Sequence, residues 1–308
     1  MSKNKLPEWN IFRKLLEREE NIVACFDLLM TRDRIARCNS RKELQSLGKS
    51  LKELTSKATE EIISKSKTET IGNSWLRTVK FPQDYSKCIE VTLIQDTLVI
   101  VFDIQKAIRR EIINIDISIS TFLQFIFKSV ESIFETLIEN GYLVRGSVAS
   151  GSLYYTKSQV LGEAFINAYN SIEGPQRLPL IAVEICSSIM RYQNWIFNNG
   201  MEHTHCSTGE YILHSWYLPY DQRVFLDPVI PDYLSIEKYL AMLQINGCNE
   251  KFLIRTADIL IESHKKNSKE PFDRKLESVV ENMKYQDWSD QKDEVISEFR
   301  LFRTRKNS

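Results

Sequence analysis

Glu90-Val91-Thr92-Leu93-Ile94-Gln95-Asp96-Thr97-Leu98-Val99-Ile100-Val101-Phe102 is the stretch on which the fold turns. Apolar and β-branched residues flank a short polar break, Gln95-Asp96-Thr97, in the pattern of two strands joined by a tight turn. Asp96 then sits at a hairpin tip. An Asp there either bonds its own backbone as a turn-former or is held out toward something positive. A second apolar run, Asn21 to Met30, reads as a strand buried on both faces and carries an acid of its own, Asp27.

Around these two strands the chain alternates between helical and extended patterns. Upstream, Trp9 to Glu20 has the spacing of a short amphipathic helix through Ile11, Phe12, Leu15 and Leu16. Between the two strands, Thr31 to about Ser66 is rich in Arg, Lys, Glu and Leu, with Leu44, Leu47, Leu51 and Leu54 at helical spacing, and reads as a crossover with a solvated face. Thr68 to Lys87 reads as loop. Downstream, Asp116 to Asn140 has the clearest helical period, with Phe122, Phe125, Ile126, Ser129, Val130, Ile133, Phe134 and Leu137 on one stripe. Gly141 supplies its stop. Tyr142 to Tyr155 is extended and broken by small residues, Gly162 to Glu173 fits a helix, and Leu178 to Ile185 is another apolar strand.

That order predicts an α+β fold, a mostly antiparallel sheet with helices covering one face. Met190 to Pro231 has weak periodicity. Beyond it Ile236 to Gln244, Glu250 to Ser263, Arg274 to Met283 and Asp290 to Phe302 read as helices. The organisation is therefore an N-terminal helix (1–20), a central domain (21–232) and a helical C-terminal region (233–308).

Composition narrows the class of function. Of 308 residues 43% are hydrophobic, enough for a sizeable core, and Lys+Arg and Asp+Glu both number 41. A balanced charge argues against a nucleic-acid surface, although a local pocket for a polyanion needs only a few groups. The six cysteines are scattered with no CxxC pair, which suits reduced, buried thiols. No apolar leader follows Met1 and no run reaches the length of a membrane span, so the expectation is a soluble, cytoplasmic protein. His203-x-His205-Cys206 lacks a second pair at zinc spacing and reads as loop. Ser147, Ser150 and Ser152 have no His base near them in sequence, which argues against a hydrolase triad.

If the strands of Asp27 and Asp96 are neighbours, their carboxylates converge and repel unless a cation lies between them. Hard ions such as Mg²⁺ favour carboxylate and phosphate oxygens. A pair of them about 3.5–4 Å apart can activate an attacking oxygen and screen a leaving phosphate. Arg145 precedes a run of small residues that would admit a nucleotide, and it could equally form a structural ion pair.

Phe26-Asp27-Leu28-Leu29, the Asp96 hairpin, Arg145-Gly146-Ser147-Val148-Ala149-Ser150-Gly151 and Gly162-Glu163-Ala164-Phe165 occur in the order seen in class III nucleotidyl cyclases. The chain resembles that family over roughly Ile22 to Val183. The family's motifs are an F-x-D-(I/L) strand, a G-D hairpin, an R-x-G-x-x-x-G strand and a G-x-x-x-N-x-x-x-R helix. The resemblance implies a ferredoxin-like cyclase sheet in which Asp27 and Asp96 bind two Mn²⁺ or Mg²⁺ ions and the Leu28 carbonyl adds a ligand. It implies that backbone amides from Leu28 and Leu29 to Thr31 hold a triphosphate, and that the site is assembled between two protomers of a homodimer.

Departures from the pattern point further. The purine-reading Lys four residues before the hairpin Asp is Thr92, and the purine-reading position three residues before the helix Gly is Gln159. The helix Asn position holds Ile166, with Asn167 beside it, and the helix Arg position holds Asn170. In these respects the chain is similar to the pyrimidine cyclases of the anti-phage system Pycsar, which carry an R-G-x-(V/I)-x-x-G strand and a G-x-A-(F/L)-(V/I)-x-A-Y helix. Leu180 stands where that group's P-R-I strand has Arg, and Glu173 falls one residue late. The resemblance implies cyclisation of UTP or CTP to cUMP or cCMP as an antiviral signal to a separate effector. Catalytic roles then fall on Asp27, Asp96, Arg145 and Asn167, and nucleotide contacts on Leu28, Leu29, Thr92 and Gln159. The alternative from another class is a catalytically silent module that binds a nucleotide or a partner.

Overall fold

The hairpin forms, and its turn is shorter than the polar break suggests. In a computed structural model of the chain, β2 (Ile89–Ile94) and β3 (Thr97–Phe102) pair from Ile89↔Phe102 to Ile94↔Thr97, leaving Gln95 and Asp96 as the turn. The structure describes residues 20–29, 31–68, 87–109, 119–156, 159–175, 181–189, 217–220, 223–226, 233–267 and 292–306. The helix Arg274 to Met283, the His203–Cys206 cluster and Leu180 lie outside these residues, as do the expected helix Trp9 to Glu20 except Glu20, which belongs to a strand, and the expected loop Thr68 to Lys87 except Thr68, which closes a helix, and Lys87.

β1 (Glu20–Leu29) is buried along nearly its whole length, as its unbroken apolar run requires of a strand with neighbours on both sides. It lies antiparallel to β3 on one side and to β4 (Leu143–Ser152) on the other. Among the described residues the sheet has seven strands in the order β2-β3-β1-β4-β7-β9-β8, completed by β7 (Val183–Ile185), β8 (Tyr217–Tyr220) and β9 (Arg223–Leu226). The β4–β7 pair is parallel and the others are antiparallel, so the expectation of a mostly antiparallel α+β sheet holds. A separate two-stranded ribbon joins β5 (Tyr154–Thr156) to β6 (Gln159–Leu161).

Helices α1 (Thr31–Arg37) and α2 (Arg41–Thr68) make the crossover after β1, and the short α3 (Ile104–Arg109) follows β3. α4 (Ile119–Glu139) carries the predicted stripe, with Phe125, Ile126, Val130, Ile133, Phe134 and Leu137 buried. It ends on Gly141 at φ +84°, where the Gly141 N–H donates to Ile138 and the Tyr142 N–H to Leu137. That pair of bonds closes a helix on a left-handed residue.

One expectation is corrected. Helices cover both faces of the sheet. Ile22, Ala24, Phe26 and Leu28 of β1 join the large core with α2 and α4, whereas Val23 and Cys25 pack against α5 (Glu163–Glu173) on the other face. α5 meets the sheet through Ala164, Ala168 and Ile172, small or slim residues that let the helix lie close over β1 and β4. The C-terminal helices α6 (Tyr233–Ile245), α7 (Glu250–Asn267) and α8 (Lys292–Lys306) contribute Tyr239, Leu240, Leu260 and Val295 to the same core as α4. The Tyr239 hydroxyl donates to the Ile181 carbonyl at 2.6 Å, tying α6 to the start of β7. No helix among the described residues is long and apolar enough to cross a membrane.

Candidate active site

The register of three strands builds one end of the sheet. Asp27 lies opposite Thr97 of β3 and, on its other side, opposite Arg145 of β4. The Leu28 N–H donates to the Asp96 carbonyl at 2.9 Å, fixing the hairpin turn against the end of β1. Asp27 and Asp96 therefore stand at the same end of adjacent strands. Gln95, the residue before Asp96, has φ +58°, in the left-handed region that non-glycine residues enter at a cost of about 1–2 kcal/mol. Local strain of this kind persists where the surroundings impose it.

Residues of β1 alternate between the two faces, and Asp27 falls with Val23 and Cys25 on the α5 face. Gly146 makes this arrangement possible. A Cβ there would lie 2.8 Å from Val183 Cγ2 and 3.0 Å from Phe26 Cδ1, so a side chain would separate β4 from its neighbours. With Gly146 turned toward the large core, Arg145 points to the α5 side.

There Arg145 Nη2 donates to Asp27 Oδ2 at 2.7 Å and to Glu173 Oε1, in the last turn of α5, at 3.2 Å. Asp27 and Arg145 are buried, and Arg145 Nε has no hydrogen-bond partner among the described residues. Two carboxylates meet one guanidinium in a poorly solvated place. Burial pushes the Asp27 carboxyl up from 3.8 to about 6; the Arg145 hydrogen bond opposes the rise and the adjacent Glu173 adds to it. The neighbouring row on this face is also polar. Ser147 Oγ donates to the Ala168 carbonyl at 2.6 Å, and Arg223 Nε donates to Glu184 at 2.7 Å with Ser171 bonded to the same carboxylate.

The remaining expected site residues are distributed unevenly. The Leu28 amide is already donated to Asp96, and the Leu28 carbonyl accepts from Thr31 Oγ1 at 2.8 Å. The expected phosphate cradle therefore does not include a free Leu28 N–H. Leu29 is half-buried at the end of β1, opposite Leu143. Thr92 pairs with Val99 on the edge strand, on the same face as Asp27 and about 10 Å across two strand spacings. Asn167 lies about 9 Å up α5 from Glu173 at 1.5 Å per residue, with its carbonyl facing Cys186 Sγ. Gln159 is exposed on β6, at the α5 N-terminal end, where Gly151 meets Glu163 and Ala164. That end is about 20 Å along β4 from Arg145. Within one chain the strand ends that carry Asp27, Asp96 and Arg145 lie side by side, and Asn167 and Gln159 do not join them.

Glu173, noted in the sequence only as a helix-end position falling one residue late, was not among the expected site residues. The signal for it was Arg145 itself, a cation in an otherwise small and apolar run, which on burial demands a carboxylate. The donors at this end, Asp27, Asp96, Glu173 and the Leu28 carbonyl, are hard oxygen groups of the kind that suit Mg²⁺ or Mn²⁺. The chemistry of Asp27, Asp96 and the Leu28 carbonyl suits such an ion, but in this structure Arg145 holds Asp27 at 2.7 Å. Among the described residues no group of three or more His, Cys, Asp and Glu side chains is gathered closely enough to hold a metal ion. No family model, curated protein or solved structure matches the chain.

Proposed function

We propose that the chain is a nucleotidyl cyclase of the class III kind, converting UTP or CTP to the 3′,5′-cyclic monophosphate and pyrophosphate. The observation that carries this reading is the convergence of Asp27 and Asp96 at one end of two adjacent strands, locked by the Leu28–Asp96 backbone bond. Three further features support it. The strand order β2-β3-β1-β4 with helical crossovers accords with a ferredoxin-like cyclase core. Gln95 takes a left-handed conformation at the position where the family's G-D hairpin has glycine. Thr92, in place of a purine-reading Lys, lies on the face of the sheet that carries Asp27.

In this reading Asp27, Asp96 and the Leu28 carbonyl would hold the divalent ions, which when bound would lower the pKa of the ribose 3′-hydroxyl and screen the triphosphate. The chain's own contribution is positioning and charge. The sheet keeps the backbone of the two aspartates at one end of adjacent strands, and in this reading Arg145 supplies a cation beside the α-phosphate. The hydroxyl oxygen attacks the α-phosphorus, its proton leaves, and the bond to the bridging oxygen breaks as pyrophosphate departs. Asn167 and Gln159 lie away from the carboxylates of their own chain, so they act in a second copy's site or not at all. A homodimer in which the α5 helix of one copy faces the Asp27 end of the other meets that need.

The rival is a silent cyclase-like module. It is favoured by the Arg145–Asp27 ion pair, and by Ile166 and Asn170 where the family has Asn and Arg. Incubating the purified protein with Mn²⁺ and a mixture of ATP, GTP, CTP and UTP separates the two. A cyclase yields a cyclic pyrimidine nucleotide, and both Asp27→Ala and Asp96→Ala abolish it. Retention of activity in either variant removes the carboxylate pair from the chemistry.

A further inference from the structure

Arg145 is held by two carboxylates of unequal hold. Its Nη2 lies 2.7 Å from Asp27 and 3.2 Å from Glu173, and its buried Nε has no partner among the described residues. Glu173 is the more exposed of the two acids, with 21% of its side chain accessible against 6% for Asp27. A buried guanidinium left with no carboxylate is strongly disfavoured, so it does not leave Asp27 unless another acid takes its charge. Glu173 is already in hydrogen-bond reach of the same nitrogen, so the transfer needs no long movement of the Arg145 side chain.

We propose that Glu173 is a positioning residue that frees Asp27 for a divalent cation by taking over Arg145. In the ion-free chain Arg145 neutralises Asp27. When a divalent cation engages Asp27, the guanidinium shifts its hold to Glu173 and stays at the rim of the site. Arg145 is thus a built-in competitor of the cation, and Glu173 is what makes the competition winnable. The inference rests on the cyclase reading in one respect, that Asp27 takes a cation.

The test is a titration of the full-length protein with Mn²⁺ alone, following free Mn²⁺ by its electron paramagnetic resonance signal. Arg145→Gln removes the competitor, and the expected result is binding about tenfold tighter, a size typical of members of one ion-pair network. Glu173→Gln leaves Arg145 fixed on Asp27, and Mn²⁺ binding weakens by about tenfold on the same grounds. The double variant R145Q/E173Q binds like R145Q, because Glu173 has no Arg145 left to receive. A purely structural role would move both single variants in the same direction, and a direct Glu173 ligand would make the double variant weaker than R145Q; either result overturns the proposal. If R145Q does not fold, Arg145→Lys takes its place, since an ammonium loses the second contact and competes less well. Asp27→Asn separates the two levels of the account. If it leaves Mn²⁺ binding unchanged, the cation role of Asp27 fails, and the inference with it. If it abolishes binding while R145Q and E173Q do not move apart, the inference fails alone.

Discussion

The two faces of the central sheet solve different problems. The face under α2, α4 and α6 is mainly apolar, with Phe26, Leu98, Ile100, Phe102 and Val144 in one cluster with Ile126, Val130, Ile133 and Leu240. The face under α5 has a narrower apolar patch of Val23, Cys25, Val99, Val101, Ala149, Ala164 and Ala168, bordered by the ionic groups Asp27–Arg145–Glu173 and Glu184–Arg223. Both faces belong to the same strands, whose alternate residues point opposite ways. The difference teaches where stability and chemistry are separated. The large face holds the fold, and the small face carries charge that burial makes reactive or costly.

The sharpest way to break that division is to damage each face and see what is lost. Phe26→Ala empties a fully buried site on the large face, and the expected loss is about 3–5 kcal/mol of stability with Mn²⁺ affinity of the folded fraction unchanged. Denaturant unfolding checks the first part and a Mn²⁺ titration the second. A smaller effect is expected from Gly146→Ala, whose methyl would meet Val183 and Phe26; forcing β4 away costs about 1–3 kcal/mol. Because Gly146 sits between Arg145 and Ser147, this substitution also loosens the Arg145–Asp27 contact and alters Mn²⁺ affinity, which Phe26→Ala does not. Equal behaviour of the two variants would erase the distinction between the faces.

The smallest effect is a slope. The folded-state pKa of Asp27, about 6, lies above its ordinary value of 3.8, so the folded chain holds a proton that the unfolded chain has released between these values. The sign follows directly: this contribution to stability is fully present below pH 3.8 and is lost as pH rises through about 6. Asp27→Asn, which cannot ionise, removes that part of the dependence. Melting temperatures of wild type minus D27N should fall from pH 4 to pH 6.5, and a flat or rising difference would show that Arg145 keeps Asp27 ionised throughout.

Much of this was legible in the residues. β1 was visible as an unbroken apolar run, α4 as a strict helical stripe, and the hairpin as two β-branched runs around Gln95-Asp96, because each is a local pattern of period or composition. The two-sided cover was not legible. α5 presents Ala164 and Ala168 to the sheet, and small residues give a weak apolar signal although they permit the closest approach. β8 and β9 fall in a stretch with no clear period; β9 is held by pairing with β7, and β8 by pairing with β9. Glu173 was invisible as a site residue because its meeting with Asp27 depends on the β1–β4 register, a contact between residues 118 positions apart for Asp27 and Arg145. The sequence left open that Arg145 pairs with a carboxylate, but not that the partner is Asp27, because that depends on the β1–β4 register.

The account stands on Asp27 and Asp96 acting together on a nucleotide. Chromatography of the products formed by the purified wild-type protein from ATP, GTP, CTP and UTP with Mn²⁺ tests this most directly. The predicted result is a cyclic pyrimidine monophosphate and pyrophosphate, with both products absent from the Asp27→Ala and Asp96→Ala variants. No cyclic product from any of the four nucleotides would contradict it.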